Sequence, residues 1–290
     1  DLCKKKGTLR EVSFFIFCYY KFAIIKLKYG IKSVIIYAGL KGKVSMENVT
    51  ALILAAGEGK RMKSDKAKVL HHVCGKPMIE WVYEAARDSG VGKCVIIVGH
   101  RAEQVMGYMG DRAEYVMQEQ RLGTGHAVQQ ARSYMEDGGY ILILYGDVPL
   151  VTSVTIKNAM ERLLDENLDA VVISAEVEDP TGYGRIVRNP DGSFRRIVEH
   201  RDANPDEREI REINSGMYIF KSRELADALQ HLKNDNDQGE YYLTDTLEIM
   251  LSKGLKVGVY KVPDSSEVLG ANDRAQLEVL ESILGKRLQK

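Results

Sequence analysis

Basic residues crowd one short stretch of this chain. Between Leu52 and Leu70 the sequence reads LILAAGEGKRMKSDKAKVL, an apolar run that breaks at a glycine turn and is followed by Lys60, Arg61, Lys63, Lys66 and Lys68. Small residues at Ala55, Ala56 and Gly57 let a ligand approach the backbone. Successive N–H groups in such a turn form a nest for an anion. The chemistry offered is the grip of a polyphosphate. Two standard phosphate loops are excluded. Gly57 to Ser64 lacks the Gly-Lys-Ser order of a Walker loop, and Gly57-Glu58-Gly59 lacks the third glycine of the dinucleotide fingerprint. A glycine turn with a solvated basic face would carry the same letters, so the rest of the chain has to decide.

Two further segments bear on that decision. In Gln118-Glu119-Gln120-Arg121-Leu122-Gly123-Thr124-Gly125-His126 a strand end delivers Gln118 and a Gly-Thr-Gly turn opens a helix. A Gln amide both donates and accepts, which suits the edge of a pyrimidine base. Thr124 also reads as an ordinary helix cap. In Leu144-Tyr145-Gly146-Asp147-Val148-Pro149 a carboxylate follows a buried strand, where open α/β sheets bind their ligands. Beside phosphates, a lone carboxylate there is most simply a Mg²⁺ ligand; a turn-forming Asp is the plainer reading.

The elements that would position these groups alternate. Strands are predicted at Thr50 to Ala55, Cys94 to Val98, Ala113 to Met117, Tyr140 to Leu144 and Ala170 to Ala175. Helices fall between them at Met78 to Asp88, Ala102 to Tyr108, Thr124 to Glu136 and Thr152 to Asp165. Pro77 precedes the first helix and Gly90 follows it. This order implies an α/β fold with a mostly parallel sheet covered on both faces. Beyond about residue 176 the texture changes. Gly184 to Arg188 and Ser193 to Val198 flank the turn Asn189-Pro190-Asp191-Gly192 as a β-hairpin. A strand at Asn214 to Phe220, helices at Arg223 to Leu232 and Leu243 to Ser252, a strand at Lys256 to Val262 and a helix at Asn272 to Leu288 complete the chain. The first half reads as nucleotide-facing and the second as substrate-facing. No hexapeptide repeat of the left-handed β-helix kind is present.

The 290 residues carry no net formal charge, which argues against nucleic acid as a partner. Cys3, Cys18, Cys74 and Cys94 are scattered without a CxxC pair, which fits a reducing cytoplasm. Residues 1–45 are rich in Lys and aromatics, and their apolar stretch from Val12 to Ala38 is cut by Lys21, Lys26, Lys28 and Lys32. No run reaches the roughly 18 residues of a spanning helix. A basic, aromatic membrane-surface anchor is one reading. An unstructured or non-native extension before a start at Met46 is preferred, because a clean strand-and-loop pattern begins there.

The ordered set LAAGEGKRM, KVLHHVCGKP, QEQRLGTGHA, YGDVPL, PTGYGRI, IVEH, EINSGMY, QGEYYLTD and EVLGANDRAQL resembles the uridylyltransferase half of bacterial N-acetylglucosamine-1-phosphate uridylyltransferases. The likeness runs from about Met46 to Lys290. It implies a nucleotide-diphospho-sugar transferase fold, Rossmann-like and mixed but mostly parallel, with a hairpin-bearing sugar-binding half. It divides the chain into an extension (1–45), a nucleotidyltransferase domain (46–271) and a connecting helix (272–290). It implies UTP and N-acetylglucosamine 1-phosphate as substrates, Mg²⁺ as cofactor and a cytoplasmic place in cell-wall precursor synthesis.

Residue by residue, the resemblance puts the backbone of Ala55, Ala56 and Gly57 against the uracil, the following loop around the triphosphate with Arg61 on the phosphates, and Lys68 as the lysine that neutralises them during transfer. Gln118, Gly123 and Thr124 would read the base. Asp147 and Asn272 would hold Mg²⁺. Gly184, Glu199 and Asn214 would bind the acetamido sugar, with Tyr242 and Thr244 lining the same pocket. Taken singly, Gly184 could serve only its hairpin and Asn272 only as a helix N-cap. His126 and His200 are expected to be structural, since a sugar phosphate is already an anionic nucleophile and needs no base. One departure stands out: the family's proline before the key lysine is here Ala67. Another sugar phosphate or base, or a catalytically inactive nucleotide-binding subunit, are the competing readings.

Overall fold

The runs VTALILA, KCVIIV and YILILY are dense in aliphatic and β-branched residues and too short for buried helices. In the computed structural model they are β1 (Val49–Ala55), β2 (Lys93–Val98) and, after β3 (Glu114–Met117), β4 (Tyr140–Tyr145). Residues described are 45–289, with the backbone of three short strands before them, Val12–Phe15, Ala23–Leu27 and Val34–Ile36. The chain divides into two units, Asp1–Val44 and Ser45–Lys290. In the first, the three strands form an antiparallel sheet with Ala23–Leu27 in the middle. Apart from those strands, the expected extension lies outside the described residues. Among the described residues no helix is long and apolar enough to cross a membrane.

In the second unit β1 pairs in parallel with β2 on one side and β4 on the other, and β2 pairs in parallel with β3. Helices α1 (Met78–Ser89), α2 (Ala102–Met109) and α3 (Thr124–Gln130) fall between these strands, and α4 (Ser153–Asp165) follows β4. The chain then adds β5 (Ala170–Glu176), the hairpin β6 (Arg185–Arg188) and β7 (Phe194–Val198), and the long β8 (Glu212–Lys221). Helices α5 (Ser222–Leu229) and α6 (Asp245–Ser252), strand β9 (Val257–Lys261) and helix α7 (Arg274–Leu288) close it. Strand β8 lies antiparallel between β4 and β5, and β9 pairs in parallel with β5. The mixed, mostly parallel sheet expected from the alternation is therefore present.

This topology prepares a site. The chain leaves β1 toward β2 and β3, then returns to β4 on the other side of β1, so β1 marks the switch point whose carboxyl edge binds ligands in such sheets. Leu54 is level with Tyr145, Ala55 with Val98, and Val98 with Met117. The residues just past these positions, Ala56-Gly57, Gln118 and Gly146-Asp147, are thus delivered to one edge. The second half of β8 pairs with β4 and its first half reaches past Tyr145 to pair with β6. That overhang puts the hairpin beside the same edge.

Several boundaries differ from the sequence expectation for local reasons. The predicted helix at Thr124 to Glu136 is α3 plus a separate 3₁₀ turn, Arg132–Met135, because the backbone leaves helical geometry at Ala131 (φ −93°, ψ 18°). Thr124 is not the cap of α3; Gly123 holds that position and the Thr124 hydroxyl accepts the backbone N–H of Leu243 at 3.1 Å. Asn272 is not the cap of α7 either. Asp273 takes that role, accepting the N–H of Gln276 at 2.9 Å, and frees the Asn272 side chain. As expected, Gly90 ends α1 in the left-handed conformation (φ 94°). Leu280 and Leu284 of α7 pack on Val73, Met78 and Leu150, so the last helix belongs to the body of the second unit.

Candidate active site

At the carboxyl edge of β1 and β4 lies a cavity of about 350 Å³. Ala55, Ala56 and Gly57 form one wall, Gln118, Gly123 and Thr124 another, and Lys68, Asp147 and Asn272 meet at one end. Beside it a groove of about 300 Å³ shares Gly57, Lys68 and Asn272 and adds Gly59, Lys60 and Arg61. Ten of the residues singled out from sequence therefore line one continuous pair of hollows.

Lys68 is the junction. Its ammonium donates to the Asp147 carboxylate and, at 2.7 Å, to the Asn272 carbonyl oxygen, although these residues are far apart in the chain. Both side chains of the ion pair are largely buried, at 13% and 18% exposure, so water screens the pair only partly. Gly59 has φ 64°, and a Cβ there would stand 2.7 Å from the Cβ of Lys68. The glycine turn and the lysine stem are thus in contact, which is why a glycine is required at that position.

The loop between them is clamped from α2. Arg101 donates to the Ser64 carbonyl at 2.7 Å, and Gln104 donates to the Asp65 carbonyl at 3.0 Å. Gln104 also accepts the Ala67 N–H at 2.8 Å. Ala67 has φ −55° and ψ 137°, a backbone that proline fits, yet its N–H is in use. The departure from the family's proline therefore exchanges a rigid ring for a hydrogen bond to Gln104.

Gln118 is buried, and its Nε2 donates to the Gly123 carbonyl at 3.1 Å and faces His126 Nδ1 at 3.2 Å. A carbonyl only accepts, so this contact fixes which end of the amide is nitrogen. With Nε2 committed to the Gly123 carbonyl, Oε1 is the acceptor that Gln118 brings to the cavity it lines. His126 meets the Gln118 amide from the first turn of α3.

The remaining candidates form a second cluster. A Cβ on Gly184 would be 3.4 Å from a Glu199 carboxylate oxygen and 3.5 Å from the Asn214 Cβ. Asn214 donates its backbone N–H to the Gly184 carbonyl at 2.8 Å and its side-chain N–H to the Tyr218 hydroxyl at 2.7 Å. Thr244 donates to Glu199 at 3.4 Å, and the buried Tyr242 accepts from Gln238 at 2.7 Å. Burial, with the Asp202 and Asp245 carboxylates behind it, raises the Glu199 pKa despite the Thr244 bond. Tyr145 joins the two clusters: it lines the cavity and feels both Glu199 and Asp147, and burial above all raises its pKa and keeps it a phenol.

Asp245, at the start of α6, is pushed up to about 6, first by burial and then by Glu248 and Asp202. A raised carboxyl pKa favours the folded state while the group is protonated, so this contribution is present below about pH 4 and is lost as pH rises through about 6. The group is only half-buried, which reduces the effect on stability to about 1 kcal/mol. Asp245→Asn is expected to gain that amount at pH 7.5 and nothing near pH 4, as read by urea unfolding at both values. An equal gain at both would contradict the assignment.

Sequence reasoning passes over Tyr145, Val69, Arg121 and Glu240, which also line the cavity. Tyr145 is open to discovery, since it stands two residues before Asp147 at a strand end. Glu240 is not, because nothing local brings its segment to Gly123; the backbone bonds from Gly125 to Tyr241 and from Tyr241 to Leu122, both 2.8 Å, do so.

Residues 51–249 match the MobA-like NTP transferase domain. The chain is 54% identical over 246 residues to the bifunctional protein GlmU of Acetivibrio thermocellus, covering 84% of this chain and 53% of that protein. It is 46% identical over 245 residues to the bifunctional protein GlmU of Caldanaerobacter subterraneus subsp. tengcongensis, with the same coverage of each. The chain thus spans about half the length of the curated relatives it matches. Its fold is that of a UDP-glucose pyrophosphorylase solved with UDP-glucose, at a TM-score of 0.67 and 19% identity over 82% of this chain and 98% of that one. A glycine turn at the switch point of an α/β sheet, joined to this match over most of the second unit, shows that the chain belongs to the MobA-like NTP transferase family.

Proposed function

We propose that this chain transfers the uridylyl group of UTP to N-acetylglucosamine 1-phosphate, giving UDP-N-acetylglucosamine and pyrophosphate. The observation that carries the base assignment is the orientation of Gln118. With Nε2 held by the Gly123 carbonyl, Oε1 remains as an acceptor, which complements the N3–H of uracil and opposes the bare N3 of cytosine. The Gly123 and Thr124 turn supplies the adjoining wall. The motif resemblance supports the sugar, and the Gly184, Glu199, Asn214 and Thr244 cluster beyond Tyr145 offers a polar pocket for it.

The donor set fits Mg²⁺. The Asp147 carboxylate and Asn272 carbonyl are hard oxygens already aimed at one cation, the Lys68 ammonium. Among the described residues there is no group of three His, Cys, Asp or Glu that could form an all-protein cage. Mg²⁺ is characteristically held by one or two such oxygens, with water and phosphates completing its shell. When bound, the ion would offset charge on the phosphates.

The chain's own groups account for the rest. The sugar phosphate oxygen attacks the α-phosphorus in line, and pyrophosphate leaves on the far side. Lys68 and the exposed Arg61, with the nearby backbone amides of the glycine turn, offset charge that shifts onto the leaving group. No proton has to be removed from the nucleophile, so neither His126 nor His200 is needed as a base.

Gln118→Leu tests the base reading. Loss of one hydrogen bond to the base is expected to raise KM for UTP about tenfold and to narrow the preference for UTP over CTP by a similar factor. Unchanged discrimination in the variant would remove Gln118 from base recognition.

A further inference from the structure

Arg185 is one of the largest fully buried side chains, at 1% exposure, and it has no carboxylate partner among the ion pairs of the described residues. Its guanidinium is held by two carbonyls and an imidazole, and the Asp179 carboxylate acts on it only through space. One terminal nitrogen donates to the Tyr183 carbonyl. The other lies 3.3 Å from both the Arg208 carbonyl and His200 Nδ1. The Nε is buried with no partner. Burying a cation in this way is costly, and a purely structural brace would be better made from an apolar side chain. The cost calls for a compensating role.

The three anchors indicate that role. Tyr183 precedes Gly184, and His200 follows Glu199. Arg208 ends the single-turn helix Pro205–Arg208, which carries a capping box at Asn204 and Glu207. Backbone pairing sets Arg185 opposite Val198 and Ile213, next to Glu199 and Asn214 respectively. One planar fork therefore ties together the chain segments from which Gly184 and Glu199 emerge, and the backbone pairing of the same residue adds the segment of Asn214. We infer that Arg185 is a positioning residue for the sugar phosphate: it fixes the spacing of Gly184 and Glu199 without touching the nucleotide cavity. This rests on the reading of those residues as the sugar pocket.

A lysine keeps the charge but cannot present a rigid fork to acceptors in different directions. Arg185→Lys is therefore the test, with steady-state kinetics in both substrates and calorimetry of UTP binding. The expected result is a rise of about tenfold in KM for N-acetylglucosamine 1-phosphate, the size of one or two lost hydrogen bonds, with kcat and UTP affinity within about threefold of the parent. Arg188→Lys serves as a comparison, since Arg188 braces the outer part of the same hairpin through Glu212. It should leave both KM values unchanged. If Arg185→Lys proves unstable, His200→Leu removes a single anchor and should raise the same KM by a smaller factor.

An unchanged sugar KM in Arg185→Lys, or an equal rise in Arg188→Lys, would overturn the inference. So would a parallel loss of UTP affinity, which would mark Arg185 as a general brace. Failure of the parent chain to turn over UTP and the sugar phosphate would instead overturn the proposed function, so the two failures are distinct.

Discussion

Asp147→Ala is expected to lower turnover by about 10²–10³ while leaving a folded protein. The argument starts from position. Asp147 lies two residues past the end of β4, beside the switch-point strand, and its carboxylate meets the ammonium of Lys68 there. In the free protein the substitution removes half of a largely buried ion pair. Lys68 keeps its 2.7 Å bond to Asn272, so the ammonium is not stranded. A stability loss of about 1–2 kcal/mol follows, lowering Tm by a few degrees in a unit of this size. In the proposed transfer the same change would remove a ligand for Mg²⁺, so the rate is expected to suffer far more than the fold. Lys68→Ala should lose turnover comparably, because the lysine acts on the same charge. Pyrophosphate release and a thermal melt on one sample separate the two effects. Near-normal turnover in either variant would contradict the roles given to both.

Gly123→Ala should damage the fold and the site together. Gly123 has φ 109° and ψ 176°, a region open almost only to glycine. A Cβ there would stand 2.6 Å from the Tyr241 carbonyl oxygen and 2.8 Å from its nitrogen. Those Tyr241 atoms anchor the turn through the bonds to Gly125 and Leu122, so the alanine forces apart the contacts that hold the loop. Strain and overpacking together cost about 3 kcal/mol, or a Tm lowered by roughly 6–12 °C. The Gly123 carbonyl also orients Gln118, so UTP affinity should fall at least about tenfold in the same variant. A thermal melt and calorimetry with UTP read both. A variant as stable as the parent would show that the turn relaxes easily and does not set the position of Gln118.

The alternation of apolar runs and helical segments makes the sheet legible in the sequence. VTALILA and YILILY have few other homes than a buried parallel strand, and their ends place Gly57 and Asp147 at a common edge. The meeting of Lys68, Asp147 and Asn272 is accessible only through resemblance, because no local pattern links positions so distant. Helix limits are less legible. The break at Ala131 has no proline or glycine to announce it, and the Asn272-Asp273 pair offers two equally good caps. Orientation within the site is not legible at all. That the Gln118 nitrogen is taken up by the Gly123 carbonyl depends on the turn that follows, and that Ala67 gains a partner in Gln104 depends on where α2 packs. The burial of Arg185 without an ion pair belongs to the same class, since an arginine in a hairpin strand ordinarily faces water.

The central claim is a uridylyl transfer, and the most direct measurement is pyrophosphate release by the purified chain across the four common nucleoside triphosphates and a set of hexose 1-phosphates, with and without Mg²⁺. The account predicts Mg²⁺-dependent release that is at least about tenfold faster with UTP and N-acetylglucosamine 1-phosphate than with any other pair. Release that favours another pair, or none with any pair at substrate concentrations where UTP binds, would contradict it.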